Sequence, residues 1–424
     1  MRNRYLIALI FVFVYFLVFL RMSRISVYTE GRARSAILGD GFSDINTLSS
    51  AHYFLDSGFT KTAWLPVHEY YPPGSTPQVY THYPALPNLL CGVYASLFQS
   101  TSEPLLRLIP VLLSMVFFGL IFRFLKKLTG DSTKALIGSA GLWLGSYFIN
   151  WADNLHQHLY GELLKWLYVY VMYLYFQGGR KQIGLLLTML VIMILEVNIS
   201  FEQPVYLGIA TLGFSLVYKH GVFSRENILA FLAIWLGFGL HLYQNAIYFG
   251  SWKAALDDMI HAFTFRATGA ETVGYIKEKE YTWRNFPEIM FGWFNGMERF
   301  YVLPGWSLLT LWILLGKQLW NKQTHLVKLA IALFAASISW GFVMSQHAYV
   351  HAFTNKHFSI FVGLSLALLI PEYLQRLKTD WQSGNTGLRI FHTVLIAYSA
   401  SMFISQQVWE IWLRYGLFYP HFGT

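Results

Sequence analysis

Only 22 of the 424 residues are Asp or Glu, so carboxylate chemistry has few places to reside. Three aspartates stand out by their setting. Asp40 and Asp44, in Gly39-Asp40-Gly41-Phe42-Ser43-Asp44, precede a helical stripe of Ile45, Leu48, Ala51 and Leu55 that Gly58 is placed to stop. Asp153 lies in Trp151-Ala152-Asp153-Asn154-Leu155-His156-Gln157-His158. A carboxylate held at such a junction can take a proton from an attacking hydroxyl or ligate an ion. Basic partners recur further along: His82 in Tyr80-Thr81-His82-Tyr83-Pro84, His351 after Gln346-His347, and the tripeptide Asn355-Lys356-His357. Lys356 with His351 or His357 would offset the charge of a phosphate group. Asp153 and His156 are three apart and can share a helix face, whereas His156 and His158 cannot. A divalent ion, if one is held, would draw on His82, Asp153 and His156. A purely structural role competes with each chemical one: Asp40, Asp44 and Asp153 as helix caps, the histidines and Lys356 as ordinary interfacial residues.

The elements that must position these groups follow from composition. The chain is 55% apolar, 18% aromatic and 12% charged, about half the charge of a soluble domain. That excludes disorder, fibrous repeats and a single water-soluble domain, and makes lipid the main solvent. The single Cys91 rules out an intrachain disulfide and a Cys-based metal site. A span needs roughly 20 apolar residues of helix. Such runs fall at 5–20, 105–122, 133–150, 162–176, 182–199, 204–218, 227–248, 303–316, 326–344, 357–370 and 388–406, eleven in all. The first is retained as a span, because Arg21 and Arg24 follow it rather than a small-residue cleavage site.

The turns between spans are basic: Arg123, Lys126, Lys127 and Lys134; Arg180 and Lys181; Lys219 and Arg225; Lys317, Lys322 and Lys328; Arg376, Lys378 and Arg389. All fall on one side if the N-terminus is cytoplasmic, so the formal charge of +9 reads as positive-inside bias rather than affinity for nucleic acid. Segment 84–99 is apolar but short; if it crossed, every later basic turn would invert. It is therefore expected to lie at the outer interface with Pro84 near its first turn. Two large outer loops remain, about 21–104 and 250–302. Ser43 is the expected N-cap of the first loop's helix, with Asp44 in its first turn. The second loop carries Asp257, Asp258, His261, Arg266, Glu271 and Lys277 to Glu280, a mixed set typical of a solvated surface.

An acidic residue soon after the first span, a helix closed by Gly58, and His82-Tyr83-Pro84-Ala85-Leu86-Pro87 leading into an apolar helix resemble the first external loop of the GT-C glycosyltransferases. Protein O-mannosyltransferases and lipid A aminoarabinose transferases are the groups most alike. Ser43-Asp44 stands where that family has Asp-Glu, and His82-Tyr83-Pro84-Ala85 replaces its His/Lys-Pro-Pro-Leu. The likeness extends over roughly residues 1–220. It implies an all-α polytopic fold with a transmembrane module at 1–249, a covering loop at 250–302 and variable helices at 303–424. Aligned on Gly58, it implies Asp44 as the catalytic carboxylate with Asp40 the alternative, Asp153 as the acid of the second external loop, and Lys356 as a late basic residue.

The expected chemistry is inverting transfer of a hexose or pentose from a polyprenyl-phosphate donor to a lipid, glycan or protein acceptor, at the outer face of the plasma membrane. The absence of a Gly-rich nucleotide cradle fits a lipid-linked donor, and no His-Glu-x-x-His is present. The rivals are a ligase using a pyrophosphate-linked donor, a transporter or channel, and a non-catalytic scaffold. A transporter usually places ionisable residues near mid-membrane, whereas here the polar clusters gather at one face.

Overall fold

The computed structural model describes residues 2–24, 41–70, 76–145, 148, 151–179, 182–268, 283–297 and 301–408. Asp40 and the charged stretch 271–280 lie outside them. The described chain is helical apart from one two-stranded antiparallel pairing, Val67–His68 with Gln78–Val79. Each expected span falls on a helix: Arg2–Arg24, Glu103–Thr129, Ser132–Trp143, Gln157–Gln177, Ile183–Ile199, Glu202–Val217, Arg225–Phe249, Gly305–Val343, Ser359–Gln382 and Thr386–Met402. Among the described residues, five helices are long and apolar enough to cross a membrane on their own: those above beginning at Glu103, Arg225 and Gly305, together with Phe353–Gln382 and Thr386–Ser405. The protein is an integral membrane protein of polytopic helical design.

The Gly305–Val343 helix contains two of the expected spans, 303–316 and 326–344. Its helical backbone breaks at Gln323 (φ −143°, ψ 47°), inside the basic turn. The two arms fold back on each other. A Cβ on Gly305 would come within 2.6 Å of the Phe294 carbonyl oxygen, and one on Gly341 within 2.7 Å of the Trp293 ring, so both distal ends meet the short Phe286–Gly296 helix.

Helices that cannot be drawn together by exclusion of water must be packed by shape, and small residues permit close approach. Gly138 of Ser132–Trp143 faces Gly363 of Ser359–Gln382 so closely that a Cβ would lie 2.5 Å from the Gly363 carbonyl oxygen. Trp166, Tyr168, Phe117 and Phe124 fill the interior beside this crossing.

The first outer loop folds as two stacked short helices. Gly41–Ser57 carries Asp44 in its first turn and stops at Gly58, whose φ of +81° suits glycine. The helix begins two residues before the expected cap, so Ser43 is helical and its carbonyl accepts from the Thr47 hydroxyl. Burial is also broader than one apolar stripe: Asn46, Thr47, Ser49 and Ser50 are as buried as Leu48 and Ala51. Ser50 explains part of this, since its hydroxyl bonds the backbone of Val67 in the first strand and Asn88 Oδ1 of the second short helix. That helix, Leu86–Phe98, has Pro87 rather than Pro84 in its first turn. Its 13 residues reach about 20 Å, too short to cross about 30 Å of hydrocarbon. It buries Cys91 and Ala95 against Leu48 and Ala51 while exposing Val93, Leu97 and Phe98, as an interfacial helix should.

Two outcomes follow from this packing. Gly138→Val should cost about 1–3 kcal/mol by overpacking, whereas Gly119→Ala, where a Cβ meets nothing within 4 Å, should leave the melting temperature unchanged or raised. Thermal unfolding in detergent distinguishes them. In the first outer loop, burial against Tyr80 depresses the His68 pKa to about 4 from 6.5. Between those pH values the unfolded loop takes up a proton that the folded one refuses, so stability should fall as pH drops through that window. His68→Gln should flatten this dependence.

Candidate active site

Asp44, Asp153 and Arg107 come from three separate segments and meet in one buried knot. Arg107 lies one turn into the Glu103–Thr129 helix. Its Nε donates to Glu103 Oε1 at 2.9 Å, and its Nη1 lies 2.9 Å from Asp44 Oδ2, 2.9 Å from the Asp153 carbonyl oxygen and 3.5 Å from Asp153 Oδ2. Asp44 Oδ1 accepts from Asn154 Nδ2 at 2.7 Å and from the Leu155 backbone N–H at 2.9 Å. Arg107 is 3% exposed, Asp44 2% and Asp153 1%. A guanidinium cannot be deprotonated in a protein, so its burial requires carboxylates around it.

A second knot surrounds Glu202, the first residue of the Glu202–Val217 helix. Its Oε2 lies 3.0 Å from Lys356 Nζ and 3.1 Å from His357 Nε2; its Oε1 lies 3.3 Å from the Tyr83 hydroxyl and 4.0 Å from His347 Nε2. The Trp340 indole N–H donates to His347 Nδ1, which leaves the proton of a neutral ring on Nε2, facing Glu202. Asp44, Glu103 and Glu202 each sit in the first turn of a helix, where the aligned peptide dipoles favour a negative charge.

The knots are joined through Tyr83 and the start of the Gln157–Gln177 helix. The Tyr83 hydroxyl reaches Gln157 Oε1 at 2.9 Å as well as Glu202, and its ring lies 5.9 Å from that of His156. Beneath them, Glu162 pairs with Lys165, Lys165 Nζ donates to the Lys356 carbonyl at 3.0 Å, and Ser359 Oγ donates to Glu162 Oε2 at 2.7 Å.

All of this lies at one end of the bundle. From Arg107 to Lys127 at the far end of the same helix is 20 residues, about 30 Å. The basic turn broken at Gln323 is likewise about 27 Å from Gly305, where the helix begins beside the site.

The sequence-predicted residues therefore divide. Asp44 and Asp153 are brought together by Arg107. Lys356 and His357 belong to the Glu202 knot, and His351 stacks beside it, 4.5 Å from the His347 ring and 4.8 Å from Phe353. His156 packs near Tyr83. His82 turns away to Asp258 of the Trp252–Thr268 helix, Nε2 to Oδ1 at 2.8 Å, while Thr81 beside it is pinned through its carbonyl to His241 and Asn245. Asp258, expected to be solvated surface, is thus a partner of the first loop. His82, Asp153 and His156 are not assembled as a ligand set, and no group of three or more His, Cys, Asp or Glu is placed to hold a metal ion among the described residues.

Arg107, Glu103 and Tyr83 were not anticipated. A usable signal was present in Glu103-x-x-x-Arg107 and Glu162-x-x-Lys165, charged pairs at helical spacing inside apolar runs, which lipid tolerates only when they pair.

No protein-family model matches the chain, and no curated protein matches it in sequence. Solved structures do match its fold. ArnT from Cupriavidus metallidurans, a lipid A aminoarabinose transferase, superposes with a TM-score of 0.53 in its undecaprenyl-phosphate-bound form and 0.52 in its apo state. In both cases identity is 12%, over 96% of this chain and 75% of the other. The oligosaccharyltransferase of Archaeoglobus fulgidus gives 0.48 at 13% identity, over 96% of this chain, which spans 56% of that enzyme's length. The chain has the GT-C fold. In a GT-C framework the two knots occupy the end of the bundle that carries the first outer loop, and the basic turns occupy the other.

Removing Arg107 leaves three carboxylates buried without their cation. Arg107→Ala should cost about 3–5 kcal/mol, and Glu103→Gln, which keeps the shape and one acceptor, clearly less. The loss of folded, monodisperse protein on heating measures both.

Proposed function

We propose that the protein is a glycosyltransferase of GT-C type. It moves a hexose or pentose from a polyprenyl-phosphate donor to a hydroxyl of a lipid, glycan or protein acceptor, with inversion at the anomeric carbon. The observation that carries this reading is the convergence of Asp44 and Asp153 on Arg107 at the bundle end that also holds Lys356 and His357. A proton acceptor and a cationic cluster thus share one end of the bundle, where the donor phosphate is proposed to enter. The bound undecaprenyl phosphate of the Cupriavidus enzyme supports a lipid-linked phosphate as donor here.

In the proposed reaction Asp44 is the general base. Its Oδ2 has Arg107 as donor, and Arg107 retains Asp153 and Glu103 if it swings away. The acceptor hydroxyl then takes that position, loses its proton to Oδ2 and attacks the anomeric carbon. The bond from that carbon to the phosphate oxygen breaks on the opposite side. The phosphate's growing charge is met by Lys356 with His357 and His351, the lysine exchanging Glu202 for the phosphate. Asn154 and the Leu155 N–H keep Asp44 in place through Oδ1, and Asp153 holds the withdrawn Arg107; neither touches substrate. Asp40 is the alternative base, and His82 holds the first loop to Asp258 beside the site. A divalent ion bound by Asp44 and Asp153 would have to displace the guanidinium standing between them, and no step above is routed through it.

The basic turns support an N-terminus in the cytoplasm and a site proposed to lie at the outer face of the plasma membrane. Membrane lipid surrounds the bundle, and no nucleic acid is involved. The buried pair Glu162–Lys165 stays within about 12 Å of the start of its helix, so even these intramembrane charges belong to the site end rather than to a pathway across the bundle.

Asp44→Asn keeps the size and one acceptor oxygen of the carboxylate. In proteoliposomes supplied with labelled polyprenyl-phosphate sugars and an acceptor extract, it should lower transfer by about 10²–10⁴ while donor binding and melting temperature hold. Full turnover by Asp44→Asn would remove the role from Asp44, and an inactive Asp40→Asn would reassign it.

A further inference from the structure

The arms of the Gly305–Val343 helix enclose an apolar groove of about 460 Å³. Trp312, Phe334 and Phe361 form its floor, with Trp312 tied to Ser365 through its indole N–H. Leu309, Trp320 and Ile331 at its rim are each more than a third exposed, so the groove opens sideways toward lipid. Its wall from Leu308 to Trp320 is 12 residues, about 18 Å. The hydrocarbon of a single leaflet is about 15 Å deep, half of a typical bilayer core. The groove therefore runs along most of the first arm, with a length close to the depth of one leaflet, and its Trp320 end lies at the basic turn.

Charge marks only one end. Lys317 lines the groove at the basic turn, and Lys328 lies over the Trp320 ring, 5.8 Å from its centre. Lys322 in the same turn is already held by Glu372 at 2.8 Å, whereas no carboxylate pairs with Lys317 or Lys328 among the described residues. Two exposed lysines flanking an interfacial tryptophan, at the mouth of a chain-sized groove, are the arrangement that holds a lipid phosphate at a membrane surface.

We propose that this groove holds one acyl chain of an anionic glycerophospholipid, its phosphate seated between Lys317 and Lys328 beside Trp320. The lipid braces the hairpin at Gln323, at the far end of the arm from Gly305, and does not depend on that reaction. Its occupant differs from the proposed donor, whose phosphate belongs at the opposite end.

Native mass spectrometry of the purified, delipidated protein, titrated with dioleoyl phosphatidylglycerol, dioleoyl phosphatidylcholine or farnesyl phosphate, tests this. Wild type should retain one phosphatidylglycerol in clear preference to phosphatidylcholine. The double variant Lys317→Gln/Lys328→Gln should weaken that preference by about thirtyfold, both changes being at exposed positions. Gly316→Leu should abolish the tight phosphatidylglycerol with both lysines intact, because Gly316 lines the groove and its Cβ would have only Trp312, at 3.7 Å, nearby. Equal retention of the two phospholipids by wild type overturns the proposal. So does an undiminished preference in either variant. Displacement of phosphatidylglycerol by farnesyl phosphate gives the groove to an isoprenoid and overturns it as well. None of these readings uses transfer activity, so they stand or fall apart from the assignment of Asp44.

Discussion

Burial of one guanidinium organises the site end of this protein. Arg107 cannot shed its charge, and at 3% exposure it has little water to solvate it. Its partners supply the compensation, and they come from the first outer loop, from its own helix and from the stretch that leads into Gln157–Gln177. A requirement local to one side chain therefore fixes the mutual position of three chain segments separated by up to 109 residues, Asp44 to Asp153. Asn154 and the Leu155 N–H complete the arrangement by aiming at the oxygen that Arg107 leaves to them.

The Glu202 knot repeats the scheme with the signs redistributed: one carboxylate gathers a lysine, two imidazoles and a phenol. Tyr83 belongs to both neighbourhoods, with a single proton to offer Gln157 and Glu202. The first outer loop is thus not a cap laid over a finished bundle. It is bonded into it at Asp44, at Thr81 and at Tyr83, from below and from the side. In lipid, where exclusion of water does not draw helices together, such polar ties and the glycine crossing at Gly138 and Gly363 take over much of that work.

Much of the fold was legible in the order of residues because lipid imposes a simple rule: runs of about 20 apolar residues, basic turns between them. Every expected span falls on a helix, and the short 84–99 segment proves to be the interfacial Leu86–Phe98 helix. Asp44 and Asp153 were recognisable from their junction settings, and they do meet. What could not be read was the agent that joins them. Arg107 was absorbed into an apolar run, and nothing in its own neighbourhood reports a partner 63 residues upstream. His82 failed for the opposite reason: its motif suggested the site, but its partner Asp258 lies in a stretch whose mixed charge looks like ordinary surface. Long-range polar pairing leaves no periodic trace. Ser43 is not the cap, because it is already inside the described helix Gly41–Ser57 and its carbonyl accepts from Thr47.

The break at Gln323 bears on how such a chain enters a bilayer. Its two apolar arms are joined with no spacer beyond the kinked turn itself, so neither can partition into lipid and leave the other waiting in water. They are shaped to enter lipid together as one helical hairpin, with Lys317, Lys322 and Lys328 gathered at its turn. A polar stretch inserted at the break would uncouple the two arms, which the present turn holds together as one unit.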